Sequence, residues 1–179
     1  MNYLQTHTRV GSARQRGAAL VFSLILLLAL TFIGVSTMQG SVFEEKMAGN
    51  ARDKNFAFQA AESALRDGEL WIADKSSQPV ATSTGSNGVW TPSGPGTGSW
   101  WQSNTSSWWS SNGVALSGFG NVYAQPMRVV EDDEFVKDSL AIGQQQSATG
   151  IMYYRVTARG MGGTDRAVVQ LQSTYARRF

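Results

Sequence analysis

The sequence predicts an α+β fold in which a long N-terminal helix packs on a C-terminal antiparallel sheet. Three observations predict it. An uncharged apolar run opens the chain, a helix-periodic stripe follows it, and β-alternating segments are confined to the C-terminal third.

The first element is the apolar run. Residues 17–43 are 27 positions without a charge, and Ala, Leu, Val, Ile and Phe dominate from Ala18 to Met38. A helix needs about 20 such residues to cross a hydrocarbon core of about 30 Å. A secretory signal peptide also has a basic start and an apolar centre, but its apolar region runs only about 7–15 residues. Arg9, Arg14 and Arg16 precede the run and Glu44 and Glu45 follow it, so the positive-inside rule puts the N-terminus in the cytoplasm and the remaining domain outside.

Charge and composition narrow the function. Of 15 basic side chains those three precede Ala18; without them 12 remain against 13 acidic, a formal −1. The basicity belongs to the leader, and nucleic-acid binding loses its electrostatic support. There is no cysteine, and the single histidine, His7, lies ahead of the apolar run. Neither thiolate nor imidazole chemistry is available to the main domain. No nucleophile, base and orienting group stand at a recognisable spacing, and no Gly-rich stretch has a phosphate-binding pattern. The expectation is a non-enzyme without a cofactor.

The second element is amphipathic. Phe43, Met47, Ala51, Phe58, Ala61, Ala64, Leu65 and Ile72 fall on one face at helical spacing, interrupted by Lys54. Gly34, Gly40 and Gly49 each weaken a helix by about 1 kcal/mol relative to alanine, which fits local bending or close helix packing.

Residues 76–125 are rich in Ser, Gly, Asn, Thr and Trp and read as a connector. They carry an echo, Ser99-Trp-Trp-Gln-Ser-Asn104 and Ser107-Trp-Trp-Ser-Ser-Asn112. Trp100, Trp101, Trp108 and Trp109 either pin the loop to the core or form a surface for a partner or a sugar. Met127 to Val130 reads as a short strand, with Ile151 to Ala158 and Arg166 to Ser173 as a longer antiparallel pair turning at residues 160–163. Glu131-Asp-Asp-Glu134 reads as a solvated charged loop. Asp132, Asp133 and Glu134 are its candidate calcium ligands, without EF-hand spacing.

Arg-Gln-Arg-Gly-Ala-Ala-Leu-Val, residues 14–21, followed by the apolar helix, resembles the signal of type IV prepilins, which a prepilin peptidase cuts after the glycine. The stretch from Phe43-Glu-Glu-Lys-Met-Ala-Gly-Asn to Ala57-Phe-Gln-Ala-Ala-Glu-Ser-Ala resembles the N-terminal region of PilX-type minor pilins. Tyr154 to Gly160 and Val168 to Tyr175 match more loosely. The resemblance implies a pilin-like fold, a cut between Gly17 and Ala18, and N-methylation of Ala18. It divides the chain into a leader (1–17), a transmembrane and assembly helix (18–43), an amphipathic helix (44–75), the connector (76–125) and a sheet region (126–179).

One departure stands out. The fifth residue after the cut is usually glutamate in pilins, thought to pair with the amine of a neighbouring subunit; here it is Phe22. The tip pseudopilin K of type II secretion shares that absence, so the resemblance implies a subunit that primes or caps a filament. Other minor pilins, the major pilin, the assembly machinery and a PilY-type tip adhesin are the implied partners. The inner membrane, the periplasm and the assembled pilus, at its tip, are the implied locations, with twitching motility and adhesion as the processes served. Calcium sites in related tip pseudopilins keep the acidic run in view. The alternative is a membrane-anchored binding module whose Trp-rich loop recognises carbohydrate or a host surface.

Overall fold

The computed structural model describes residues 16–138 and 149–179. The chain divides into two compact units between Met47 and Ala48. Helix α1 spans Arg16–Ala73 and so contributes to both.

Within the first unit α1 carries no charge from residue 17 to residue 43 and is exposed all round there. Leu20, Phe22, Leu24, Ile25, Leu30, Phe32 and Ile33 are all exposed. The helix is long and apolar enough to cross a membrane. Three of its hydroxyls suit that solvent: Ser23, Thr31 and Thr37 donate to the carbonyls of Leu20, Leu28 and Ile33 at 2.9, 2.7 and 2.9 Å. Helical hydrogen bonding continues through Gly34, Gly40 and Gly49, and a Cβ added at any of the three would meet nothing within 4 Å.

In the second unit the C-terminal half of α1 covers a four-stranded antiparallel sheet of order β1-β2-β3-β4: β1 Val114–Ala115, β2 Met127–Lys137, β3 Gly150–Met161 and β4 Val168–Arg178. The buried helix face is built of small residues, Ala57, Ala60, Ala61, Ala64 and Gly68, ending on Ile72. The expected stripe is thus corrected in part. Ala61, Ala64 and Ile72 are buried and Leu65 half-buried, whereas Phe43, Met47, Ala51 and Phe58 are exposed. Close approach of the sheet is the reason: a Cβ on Gly160 of β3 would collide with the backbone of Ala57 and Ala61, and one on Gly68 would lie 2.6 Å from Val156 Cγ1. Large side chains on this helix face would hold the sheet away.

Alternation along β3 separates two cores. Met152, Tyr154 and Val156 point toward α1, where with Val130, Ile72 and Val89 they form one cluster. Val129, paired with Thr157 in register, faces the other way and packs with Trp90, Trp100 and Trp109. The sheet is therefore covered on both faces. Each fully buried Val, Ile or Met side chain contributes about 1.5–3 kcal/mol of hydrophobic stabilisation.

The end of α1 is capped from the last strand. Arg177 of β4 donates to the carbonyl of Ile72 at 2.5 Å, which also accepts from the Lys75 amide, and to the carbonyl of Lys75 just beyond the helix. Asp53, further up the helix, accepts from the Gly163 amide at 2.5 Å and from the Thr164 hydroxyl, which ties the β3–β4 turn to α1. The Thr164 hydrogen bond is the main reason the Asp53 carboxyl titrates below its ordinary range.

Three strand expectations change. The strand expected at Met127 to Val130 runs on through Glu131-Asp-Asp-Glu134 to Lys137, with a bulge between Asp132 and Glu134. The expected charged loop is therefore strand. The turn between β3 and β4 lies after Met161, because Gly160 and Met161 still pair with Val169 and Val168. Residues 76–125, expected as a connector, contain two short helices, α2 Trp100–Ser103 and α3 Ser106–Asn112, and the strand β1.

Candidate functional site

The N-terminal residues singled out by sequence lie at the start of α1. Gly17 and Ala18 are in its first turn and Ala18 is exposed. Phe22 follows one turn later with its ring 72% exposed, in a segment without a charge. A glutamate there would be an unpaired carboxylate in hydrocarbon, whereas Phe22 suits lipid or a neighbouring helix.

The four tryptophans do not behave as two equal pairs. Trp100 and Trp109 are buried at 2% and 0% exposure, while Trp101 and Trp108 are half-buried. The rings of Trp100, Trp108 and Trp109 pack at centroid separations of 5.2–5.7 Å, with Trp90 5.9 Å from Trp108. The quartet divides between the two readings: Trp100 and Trp109 belong to the core, as pins of the loop, while Trp101 and Trp108 keep part of their surface exposed. The local cause is helix phase. α2 starts at Trp100 and turns its first tryptophan inward, whereas α3 is capped by Thr105, whose side chain accepts from the Trp108 amide, and turns its second inward.

Glu131 is the polar anchor of this core. It is buried, and Trp100 Nε1 donates to its Oε2 at 3.1 Å. Burial pushes the Glu131 carboxyl above its ordinary value, and the Trp100 hydrogen bond opposes that only in part. Sequence reasoning missed this residue because it opens an acidic run. Its signal was the continued alternation after Val129.

The three calcium candidates do not converge. Asp132 is the register partner of Tyr154 and lies on the α1 side, Glu134 pairs with Tyr153 on the opposite side, and Asp133 forms an ion pair with Arg155 at the bulge. Among the described residues no group of three or more His, Asp or Glu is placed to hold a metal ion. Asp132 Oδ1 and the Tyr154 hydroxyl are buried without hydrogen-bond partners among the described residues. Burial raises both groups, the phenol to about 12.

Arg128 was also missed. It is buried, bonded to Asp67 at 2.6 Å and stacked 5.3 Å from the centre of the Trp71 ring, so it fixes β2 to α1.

An apolar exposed helix and a sheet domain covered on both faces suit an anchor and a head, and no catalytic constellation is found among the described residues. Comparison with known families agrees with that division. The PilX N-terminal family model matches residues 16–66, and the model described as type IV pilus assembly protein PilX C-term matches residues 76–177. No curated protein and no solved structure matches the chain. The two family models between them take in the apolar helix, the amphipathic helix, the tryptophan-rich segment and the sheet, and the chain belongs to the PilX family, as a minor pilin of the type IV pilus and a structural component of it.

Proposed function

We propose that the chain is cut between Gly17 and Ala18, methylated on the Ala18 amine, and held in the inner membrane by the helix that then begins the protein, with its C-terminal domain in the periplasm. From there it primes or caps pilus assembly within a tip complex of minor pilins, in contact with the major pilin, the assembly machinery and a PilY-type adhesin. Pilus-dependent motility and adhesion depend on it.

One observation carries this reading: Phe22 occupies, uncharged and exposed, the position where pilins usually hold a glutamate. A subunit with no predecessor has no neighbouring amine to receive. The exposed, uncharged helix supports the same role, since such a surface exchanges lipid for other helices without uncovering a charge.

N-terminal mass analysis of the protein from sheared filaments and from membranes is the test. A methylated Ala18 terminus in both is expected, and an intact residue 1 in both defeats the prepilin reading. Phe22→Glu extends the test to position in the filament. Gold labelling spread along the shaft supports a tip restriction set at this residue; labelling unchanged from the parent argues against it.

A further inference from the structure

Arg159 forms no ion pair among the described residues. It lies on the tryptophan side of β3, roofed by α3, and its Nε is buried without a hydrogen-bond partner among the described residues. The guanidinium donates to Ser106 Oγ at 2.9 Å and sits 6.0 Å from the centre of the Trp109 ring. Four ion pairs occur among the described residues, and Arg159 is in none of them. Residues 1–15 and 139–148, outside the described set, contain no Asp or Glu. No side-chain carboxylate there can answer this charge.

Beside Arg159 is a cavity of about 340 Å³ lined also by Ser106, Ser110, Tyr123, Gln125, Met127 and Asp165. That volume falls at the lower end of the range for small-molecule sites, about 300–1,000 Å³. Its chemistry is mixed in a specific way. One planar guanidinium fork suits a carboxylate. Two serine hydroxyls, a phenol, an amide and the Asp165 carboxylate suit neutral hydroxyl groups, and the Met127 side chain offers an apolar patch. Asp165 in the same lining repels a compact dianion such as phosphate about twice as strongly as a single carboxylate, which can also sit on Arg159 away from it. A ligand with a single carboxylate and several hydroxyls satisfies every group.

We propose that this cavity binds an acidic sugar unit of the hexuronate type, its carboxylate on Arg159 and its hydroxyls on the serines, Tyr123 and Asp165. The tryptophans contribute from behind: the Trp109 ring supports Arg159 from the core and does not stack on the sugar. The site belongs to the head domain and is independent of how the N-terminus is processed or where the subunit sits in the filament.

The test uses the full chain in detergent micelles, titrated by calorimetry or NMR with glucuronate, glucose and inorganic phosphate. Saturable binding of glucuronate, with glucose and phosphate each weaker by about tenfold or more, is expected. Equal binding of glucuronate and glucose, glucuronate-level affinity for phosphate, or no saturation by glucuronate overturns the proposal. Arg159→Gln, checked for a parental melting curve, should weaken glucuronate about tenfold or more and leave glucose unchanged; retained affinity overturns it. Arg159→Lys keeps the charge and loses the fork, so it serves if the Gln variant does not fold. An unaltered glucuronate affinity in the Lys variant is equally fatal.

Discussion

At Glu131 a buried carboxylate is held by one indole hydrogen bond, and its raised titration has a definite consequence for stability. Between the unfolded and folded pKa values the folded chain holds more protons, so this group's contribution falls as pH rises and is least favourable at neutral pH. Glu131→Gln keeps an acceptor for Trp100 and removes the charge. It should melt above the parent at pH 7, with the gap closing as pH is lowered through the carboxyl's folded pKa. Thermal melts of both proteins from neutral pH down to below the ordinary glutamate pKa of about 4.3 would show it. Glu131→Ala should instead cost about 1–3 kcal/mol, because Trp100 Nε1 then has no acceptor. Gly160 makes the opposite point about size. A single methyl there would strike the backbone of Ala57 and Ala61, which cannot rotate away, so Gly160→Ala should cost about 1–3 kcal/mol by denaturant unfolding.

At the scale of elements, α1 and the β3–β4 pair were legible because their signals come from long stretches: an uncharged run, and an alternation that keeps Tyr154, Val156 and Ala158 on one face. What was not legible depended on distance between elements. The helix stripe was read from its large residues, yet the sheet approaches so closely that the alanines and Gly68 form the contact and Phe58 is left outside. Glu131 was hidden by its acidic neighbours, and nothing near Arg159 in the sequence announces that α3 covers its face of β3. The tryptophan echo misled because identical dipeptides enter helices of different phase. Trp109→Ala should therefore cost about 3–5 kcal/mol. Trp101→Ala, at a half-buried ring whose carbonyl still accepts from Gln170, should cost about 1–2 kcal/mol. Equal losses in urea unfolding would contradict the division into an inner and an outer tryptophan of each pair.

For the whole molecule, the separation at Met47 and Ala48 places both hydrophobic clusters in the second unit, along with the Arg128–Asp67 pair, the Asp53 tie to Gly163 and Thr164, and the Arg177 cap on α1. Nothing among those interactions uses a residue before Ala48. The first unit supplies an exposed apolar helix whose side chains need lipid or neighbouring helices. A protein beginning at Ala48 should consequently remain folded and monodisperse without detergent, unfolding in one cooperative step close to that of the full chain in micelles. Size-exclusion chromatography and thermal circular dichroism would check this. Aggregation or a non-cooperative melt would mean that the head depends on its helix, because a core of small alanines then needs the preceding turns of α1 to hold its register. A soluble, cooperative head gives each property its own carrier: insertion and filament packing in the apolar helix, fold and ligand recognition in the sheet with its tryptophan face.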